Sequence, residues 1–315
     1  MDVPACSWST GHVDANQCPY QSEVPGVASG KIVSLYSQLR DRNRCNHNAY
    51  ANVGVNGARM ASSSGLVDAI KSIDRMASSS GLVDAIKSID RMASSSGLVD
   101  AIKSIDREND APVTLWLSLI GNDVCKSDTN YTPVDEFYND AVATLTRLDQ
   151  MLPKGSVVVS LALFNGEILY DTTHAQTHPL GTTYSSVYDW MICLQVTPCY
   201  GWLNSNADIR KQTSAHANML NEQYVKIQAQ SKTLFKNIDY LYFAAPYDEI
   251  FGDYVKAGYR GIDLIERVDG FHPSQAGNAA FAISFWKWLA ESHPEAIGQV
   301  NPHNAEIDAL FFSNK

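Results

Sequence analysis

Two apolar runs restrict the architecture of this chain more than any other feature. Val113 to Ile120 and Ser156 to Phe164 are short, uncharged and rich in branched side chains. Such runs predict strands buried on both faces, as in a parallel sheet covered by helices. Ile238 to Ala245 predicts a third strand. Between and after these runs the spacing changes to steps of three and four. Tyr138, Ala141, Leu145, Leu148 and Leu152 follow Thr132-Pro133, which read as a cap and a helix-starting proline, and the run stops at Pro153. Ala217, Leu220, Tyr224 and Ile227 repeat the spacing, as do Phe281, Phe285, Trp288 and Leu289. Strand then helix, repeated, predicts an α/β fold with a mostly parallel sheet. At 315 residues, 45% hydrophobic and 18% charged, the chain is large and apolar enough to bury a core without a disulfide framework.

One segment stands apart. Met60 to Arg75, Met76 to Arg91 and Met92 to Arg107 are the same sixteen residues three times over. Each copy places Leu66, Ala69, Ile70 and Ile73, or their counterparts, at helical spacing behind a Ser-Ser-Ser-Gly start. In one continuous helix the apolar stripe would turn by about 160° from copy to copy, so the helix should break at the serines. A solenoid is one reading of a repeat. Identity of the three copies favours a duplication, with one copy structural and 32 of residues 60–107 an insertion.

Charge narrows the partners. Acids outnumber bases, 34 to 24, for a net charge of −10, so nonspecific nucleic-acid binding has no electrostatic basis. The same sign repels anionic headgroups, so a lipid substrate would be drawn in by apolar surface or a local basic patch. No run is long enough for a transmembrane segment. Met1-Asp-Val-Pro-Ala-Cys6 shows no signal peptide at this N-terminus, which leaves a cytosolic protein or an incomplete start as the two expectations. The cysteines are Cys6, Cys18, Cys45, Cys125, Cys193 and Cys199, and no pair has the two-residue spacing of a zinc or redox motif, so no metal site is expected. Together with the glycosylation sequon at Asn130, they lean towards an oxidising compartment, against an alternative of buried thiols and an unused sequon.

Three segments could carry chemistry. The run ending at Ile120 delivers Gly121-Asn122-Asp123 to the carboxyl end of a strand, where an amide can donate to a developing oxyanion. Gly-Asn-Asp alone is also a common turn. Asp269 and His272 stand three apart, a spacing that lets a carboxylate fix an imidazole's tautomer while its other nitrogen acts as general base. An Asp capping a turn beside an exposed His is the alternative. Gly57, within Asn52 to Ala58, would let backbone N–H groups approach a reacting oxygen, or would simply serve a turn.

In combination these blocks resemble the SGNH (GDSL-type) hydrolases, and longer segments resemble the acyloxyacyl-hydrolase branch of that superfamily. The segments are Arg42 to His47 with Asn56-Gly57-Ala58, Ile120 to Cys125, His178-Pro-Leu-Gly181, Cys193 to Trp202 and Val268 to Pro273. The resemblance implies a three-layer α/β/α sandwich spanning residues 1–315. It implies a carboxylic-ester hydrolase that removes secondary fatty acyl chains from lipopolysaccharide lipid A or related lipids. His272 would be the general base, Asp269 its orienter, and Asn122 and Gly57 the oxyanion donors. It further implies pairing of Cys125 with Cys199, upstream partners for Cys45 and Cys193, a saposin-like subunit of the same precursor joined through Cys193, and a secreted or endolysosomal setting.

The resemblance also sets a problem. Its nucleophile is the Ser of a Gly-Asp-Ser block on a central first strand, and these 315 residues contain no such block; Gly252-Asp253 is followed by Tyr254. No Gly-x-Ser-x-Gly elbow occurs either. The expectation is therefore a partial hydrolase domain without its first strand, and without the saposin-like region and calcium-binding segment that precede that block in the family, so no cofactor is expected in this chain. A non-catalytic lipid-binding remnant is the alternative. A sugar-binding module around Tyr200 and Trp202 is a third reading.

Overall fold

The computed structural model describes residues 8–9, 11, 32–46, 59–60, 112–119, 121–126 and 128–311. Gly57, Cys6, Cys18 and the repeat beyond Met60 lie outside the described residues. The described residues form two compact units. One comprises Val53–Gln176 and Thr182–Ala245, and the other Met1–Asn52, Thr177–Gly181 and Pro246–Lys315.

The first unit holds a parallel sheet of three strands, β1 (Thr114–Leu117), β2 (Ser156–Leu161) and β3 (Ile238–Phe243), in that order. In the centre of the ladder Val158 pairs with Leu115 on one side and Tyr240 on the other. Every residue of β2 is buried, as its uninterrupted apolar run predicts. β1 corrects the same expectation, because only Leu117 of its four residues is buried. Among the described residues β1 pairs with β2 alone, whereas β2 pairs on both sides.

Helices connect the strands. α2 (Val134–Met151; α1 belongs to the second unit) buries Phe137, Ala141, Leu145 and Leu148, so Phe137 takes the core position expected of Tyr138. Its start also departs from expectation. Pro133 is the cap residue rather than the first helical one, and Thr132 makes no cap bond because its hydroxyl donates to Asp123 Oδ1 at 3.0 Å. α3 (Glu167–Thr173) and α4 (Tyr184–Cys193) precede the long α5 (Ala207–Leu234), which packs on β3 and α2 and buries Ala217, Leu220, Tyr224 and Ile227 as spaced. Phe137 meets Tyr224 edge to face at 5.0 Å across that helix pair.

Polar side chains fasten this unit where apolar packing stops. Asp149 Oδ1, at the end of α2, accepts from the amides of Lys236, Asn237 and Ile238 at 2.9, 2.7 and 3.0 Å and so aligns the start of β3. Trp202 is fully buried, donates Nε1–H to Ser214 Oγ at 3.1 Å, and lies so close to Gly166 that a Cβ there would stand 2.2 Å from its ring. Cys125 and Cys199 form a disulfide, the pairing the family resemblance implies.

The second unit contains α1 (Leu35–Arg42), α6 (Tyr247–Lys256), a 3-10 turn Gly261–Leu264, α7 (Gln275–Ser292) and α8 (Asn304–Phe311). Tyr254, Leu264, Ala276 and Ala279 form a core cluster, with Val33, Phe251 and Ile283 packed against it. On α7 the buried face runs through Ala279, Ala282, Phe285 and Leu289. Phe281 and Trp288 flank it and are half-buried, because small alanines let neighbouring elements approach along this stripe.

Candidate active site

The loop between the 3-10 turn and α7 carries the Asp-x-x-His block, and both of its ends are pinned. Ile265 and Pro273 form an antiparallel bridge, Glu266 N donates to His272 O at 2.7 Å, and Ser274 N donates to Leu264 O at 2.9 Å. Ser274 then caps α7, accepting from Gly277 N at 3.1 Å while its hydroxyl donates to Asp263 O at 2.6 Å. Gly277 permits this seating, since a Cβ there would lie 2.3 Å from Leu264 O. Gly270 takes the left-handed conformation, φ 64°, at the tip, and its N–H closes on Glu266 O at 2.9 Å.

Within that frame Asp269 performs two tasks. Oδ1 accepts from the amides of Phe271 and His272, at 2.8 and 3.0 Å, which shapes the turn. Oδ2 meets His272 Nδ1 at 2.7 Å. An ionised carboxylate can only accept, so Nδ1 carries a proton, and in the neutral ring the lone pair is the one on Nε2. The turn and the orienting contact thus come from a single side chain. Burial pushes the Asp269 carboxyl up, but the bond from His272, that ring's charge and the two amides together outweigh it and hold the carboxyl below the usual carboxylate value. His272 itself is exposed, with the Phe271 ring edge-on at 5.1 Å. The arrangement can take a proton at Nε2 and stabilise the imidazolium that results.

The structure therefore brings Asp269 and His272 together in the second unit. Asn122 stands in the first, half-buried in the turn that follows β1, at the carboxyl end of a parallel strand. That turn is held by Val124 N and Cys125 N, which donate to Gly121 O at 3.0 and 2.8 Å. Asp123 is wholly buried, and its carboxylate accepts from Met60 N at 3.1 Å and from Thr132 Oγ1. The Cys125–Cys199 disulfide fastens the next turn of chain. Gly57 lies outside the described residues. Asn130 is exposed. Cys45 and Cys193 carry exposed free thiols. Among the described residues no three His, Cys, Asp or Glu side chains converge as a metal site would need. Nor is any helix long and apolar enough to cross a membrane.

Sequence reasoning gave no function to Asp123, Asp149 or His178, although each anchors a segment. The contacts of Asp149 with the start of β3 and of His178 with Val268 cross 87 to 90 residues of chain, so no local spacing marks them. His178 is the nearest to the Asp-x-x-His loop: its Nε2 meets Val268 O at 2.9 Å.

An imidazole oriented by a carboxylate three residues before it, ahead of a long helix in an α/β chain, defines a class, and the sequence profile agrees. Residues 19–285 match the GDSL-like lipase/acylhydrolase family, to which this chain belongs. Within the class it is similar to the acyloxyacyl hydrolases. It is 33% identical over 321 residues to the one from Oryctolagus cuniculus and 32% identical over 320 residues to the one from Homo sapiens, covering in each case 99% of this chain and 48% of the relative. The Mus musculus acyloxyacyl hydrolase is 33% identical over 287 residues, 88% of this chain and 44% of the relative. The chain spans about half the length of these relatives.

Proposed function

We propose that this chain supplies the proton-transfer half of a serine-type carboxylic-ester hydrolase acting on fatty acyl esters of lipopolysaccharide lipid A or related lipids. The 2.7 Å contact between Asp269 Oδ2 and His272 Nδ1, in a member of an acylhydrolase family, carries the reading. The names of the relatives support the acyl-ester substrate.

The steps follow from the tautomer. Nε2 of His272 takes the proton of a serine hydroxyl as its oxygen attacks the ester carbonyl, and the resulting imidazolium is held by Asp269. Asn122 and Gly57 donate to the oxyanion of the tetrahedral intermediate. Nε2–H then protonates the departing alkoxide, leaving an acyl-serine and the alcohol. Water repeats the sequence, giving fatty acid and free serine. We assign the serine to a residue outside these 315, since they contain no Gly-Asp-Ser block.

Two further assignments accompany this reading. The exposed Cys193 thiol lies among exposed Trp190, Leu194 and Val196 at the end of α4, which supports disulfide attachment of an apolar partner there, a saposin-like subunit of the same precursor. A disulfide between Cys125 and Cys199 favours an oxidising, secreted or endolysosomal setting.

The test is His272→Ala in a polypeptide that joins the Gly-Asp-Ser segment of the relatives to these 315 residues. Ester hydrolysis should fall by about 10⁴-fold or more, and full retention would refute the assignment. Labelling of the 315-residue chain alone by a fluorophosphonate would show an activated serine within it and overturn the nucleophile assignment. A joined polypeptide that binds acylated lipid but hydrolyses none would favour the lipid-binding remnant instead.

A further inference from the structure

Thr177–Gly181 is the short excursion by which the middle of the chain enters the second unit, and its chemistry centres on one buried side chain. His178 is only 4% exposed. Pro179 and Gly181 shape a tight turn around it: Gly181 N donates to His178 O at 2.8 Å, and Gly181 adopts φ 83°. The imidazole folds back over its own turn, so that Nδ1 faces Leu180 N at 3.1 Å. An amide can only donate, so this nitrogen accepts, and the ring proton must sit on Nε2. Nε2–H in turn points at Val268 O, 2.9 Å away. Both ring nitrogens are used, each in the one direction its partner allows.

The position of the acceptor matters more than the bond itself. Val268 O belongs to the peptide plane whose nitrogen is that of Asp269, so a donor holding that oxygen limits rotation of the plane that leads into the Asp269 Cα. Apolar packing does little to hold Val268 in place, because the residue is 72% exposed. Leu180, on the other side of the imidazole, is 72% exposed as well. The loop is pinned at its roots by the Ile265–Pro273 bridge and at its tip by Gly270 N to Glu266 O. His178 supplies a brace on the limb that carries the carboxylate.

We infer that His178 is a positioning residue: a buried, neutral imidazole that ties the 177–181 turn to the carbonyl before Asp269 and so sets the Asp269 carboxylate against His272 Nδ1. It touches no reacting atom. Its kinetic consequence rests on the esterase reading above, whereas its geometric consequence does not.

Two substitutions separate the two bonds of the ring. In His178→Gln the side-chain Nε2–H₂ can still reach Val268 O, while the acceptor for Leu180 N is lost. In His178→Asn the Oδ1 can still accept from Leu180 N, while nothing reaches Val268 O. The experiment uses the ¹⁵N-labelled 315-residue chain and reads the downfield Nδ1–H resonance of His272, with hydrogen exchange of the Phe271 and His272 amides. The expected result is loss or broadening of that resonance and faster exchange in His178→Asn, with both close to wild type in His178→Gln. Wild-type behaviour of His178→Asn, or equal loss in both variants with far-UV circular dichroism unchanged, would overturn the inference. Should the variants fail to fold, the unsubstituted chain still decides: at neutral pH His178 must show Nε2 protonated and Nδ1 bare, and the opposite tautomer overturns the proposal. In the joined polypeptide, His178→Asn should lower kcat by about 10- to 100-fold with KM little changed, and His178→Gln should restore most of it. A purely structural residue would not give that split. Failure of the esterase reading would appear at His272→Ala and would leave the resonance result standing.

Discussion

Replacing Asp269 with Asn separates what the carboxylate does for its loop from what it does for the imidazole. The amide keeps an Oδ1, so the bonds from Phe271 N and His272 N, at 2.8 and 3.0 Å, can persist and the turn should survive. The change falls on the other arm. An Nδ2–H₂ in place of Oδ2 is a donor, so His272 Nδ1 must accept and its proton must move to Nε2, the nitrogen that has to be bare to act as base. The stability lost is the difference between a charge-assisted and a neutral bond. Such bonds contribute about 1.5 to 3 kcal/mol when sheltered, but the His272 side chain is 47% exposed, and screening reduces the difference to about 1 kcal/mol or less. That corresponds to a Tm shift of about 1.5 °C or less for a chain of this length. The rate should fall far more, by about 10⁴-fold, because the base is in the wrong tautomer. Two assays check this: ¹⁵N shifts of His272 in the 315-residue chain report the tautomer, and ester hydrolysis by the joined polypeptide reports the rate. A wild-type rate, or a His272 ring still protonated at Nδ1, would refute the reasoning.

The same carboxyl predicts an acid response. Its value in the folded chain lies below the ordinary 3.8, because the His272 bond, the ring's charge and two amides outweigh the burial that opposes them. The unfolded chain therefore binds the proton more readily, so the stabilisation is complete above the ordinary value and is lost as pH falls through the lower folded one. Urea unfolding between about pH 2 and 5 should show a steeper loss of stability in the wild type than in Asp269→Asn, and identical slopes would contradict the assignment. A second prediction concerns the Cys125–Cys199 link, which closes a loop of sequence separation 74. Loop-closure entropy places its contribution at about 4 kcal/mol, so the double Cys→Ser variant should unfold at markedly lower denaturant, and a change under about 1 kcal/mol would reject a stabilising link.

How much could be read in advance depended on how far apart the partners lie in the chain. β2 was legible because an uninterrupted apolar run has few other uses, and all six of its residues are buried. The stripes of α2 and α5 were legible because helical spacing places residues on one face whatever the helix packs against. The same locality explains Asp269 and His272. At three residues' separation, with a glycine between them, a turn closes the contact from its own backbone geometry.

Other features needed partners that no spacing announces. The cover over β1 is set by the neighbours it acquires, so a run as apolar as β2 came out half-buried. Thr132 reads as a helix cap, yet its hydroxyl turns to Asp123, because a buried carboxylate needs donors more than an exposed helix start needs an acceptor. Asp149 reads as one more helix residue until three amides from the start of β3 converge on it. His178 meets Val268 across ninety residues of chain. The amino-acid order by itself determined the elements and the acid–base pair, since both follow from contacts within a turn or two. How deeply each strand is buried, which hydroxyl becomes a donor and which histidine braces the loop were decided only when distant segments were packed, because burial makes a polar group take whatever partner folding brings within reach.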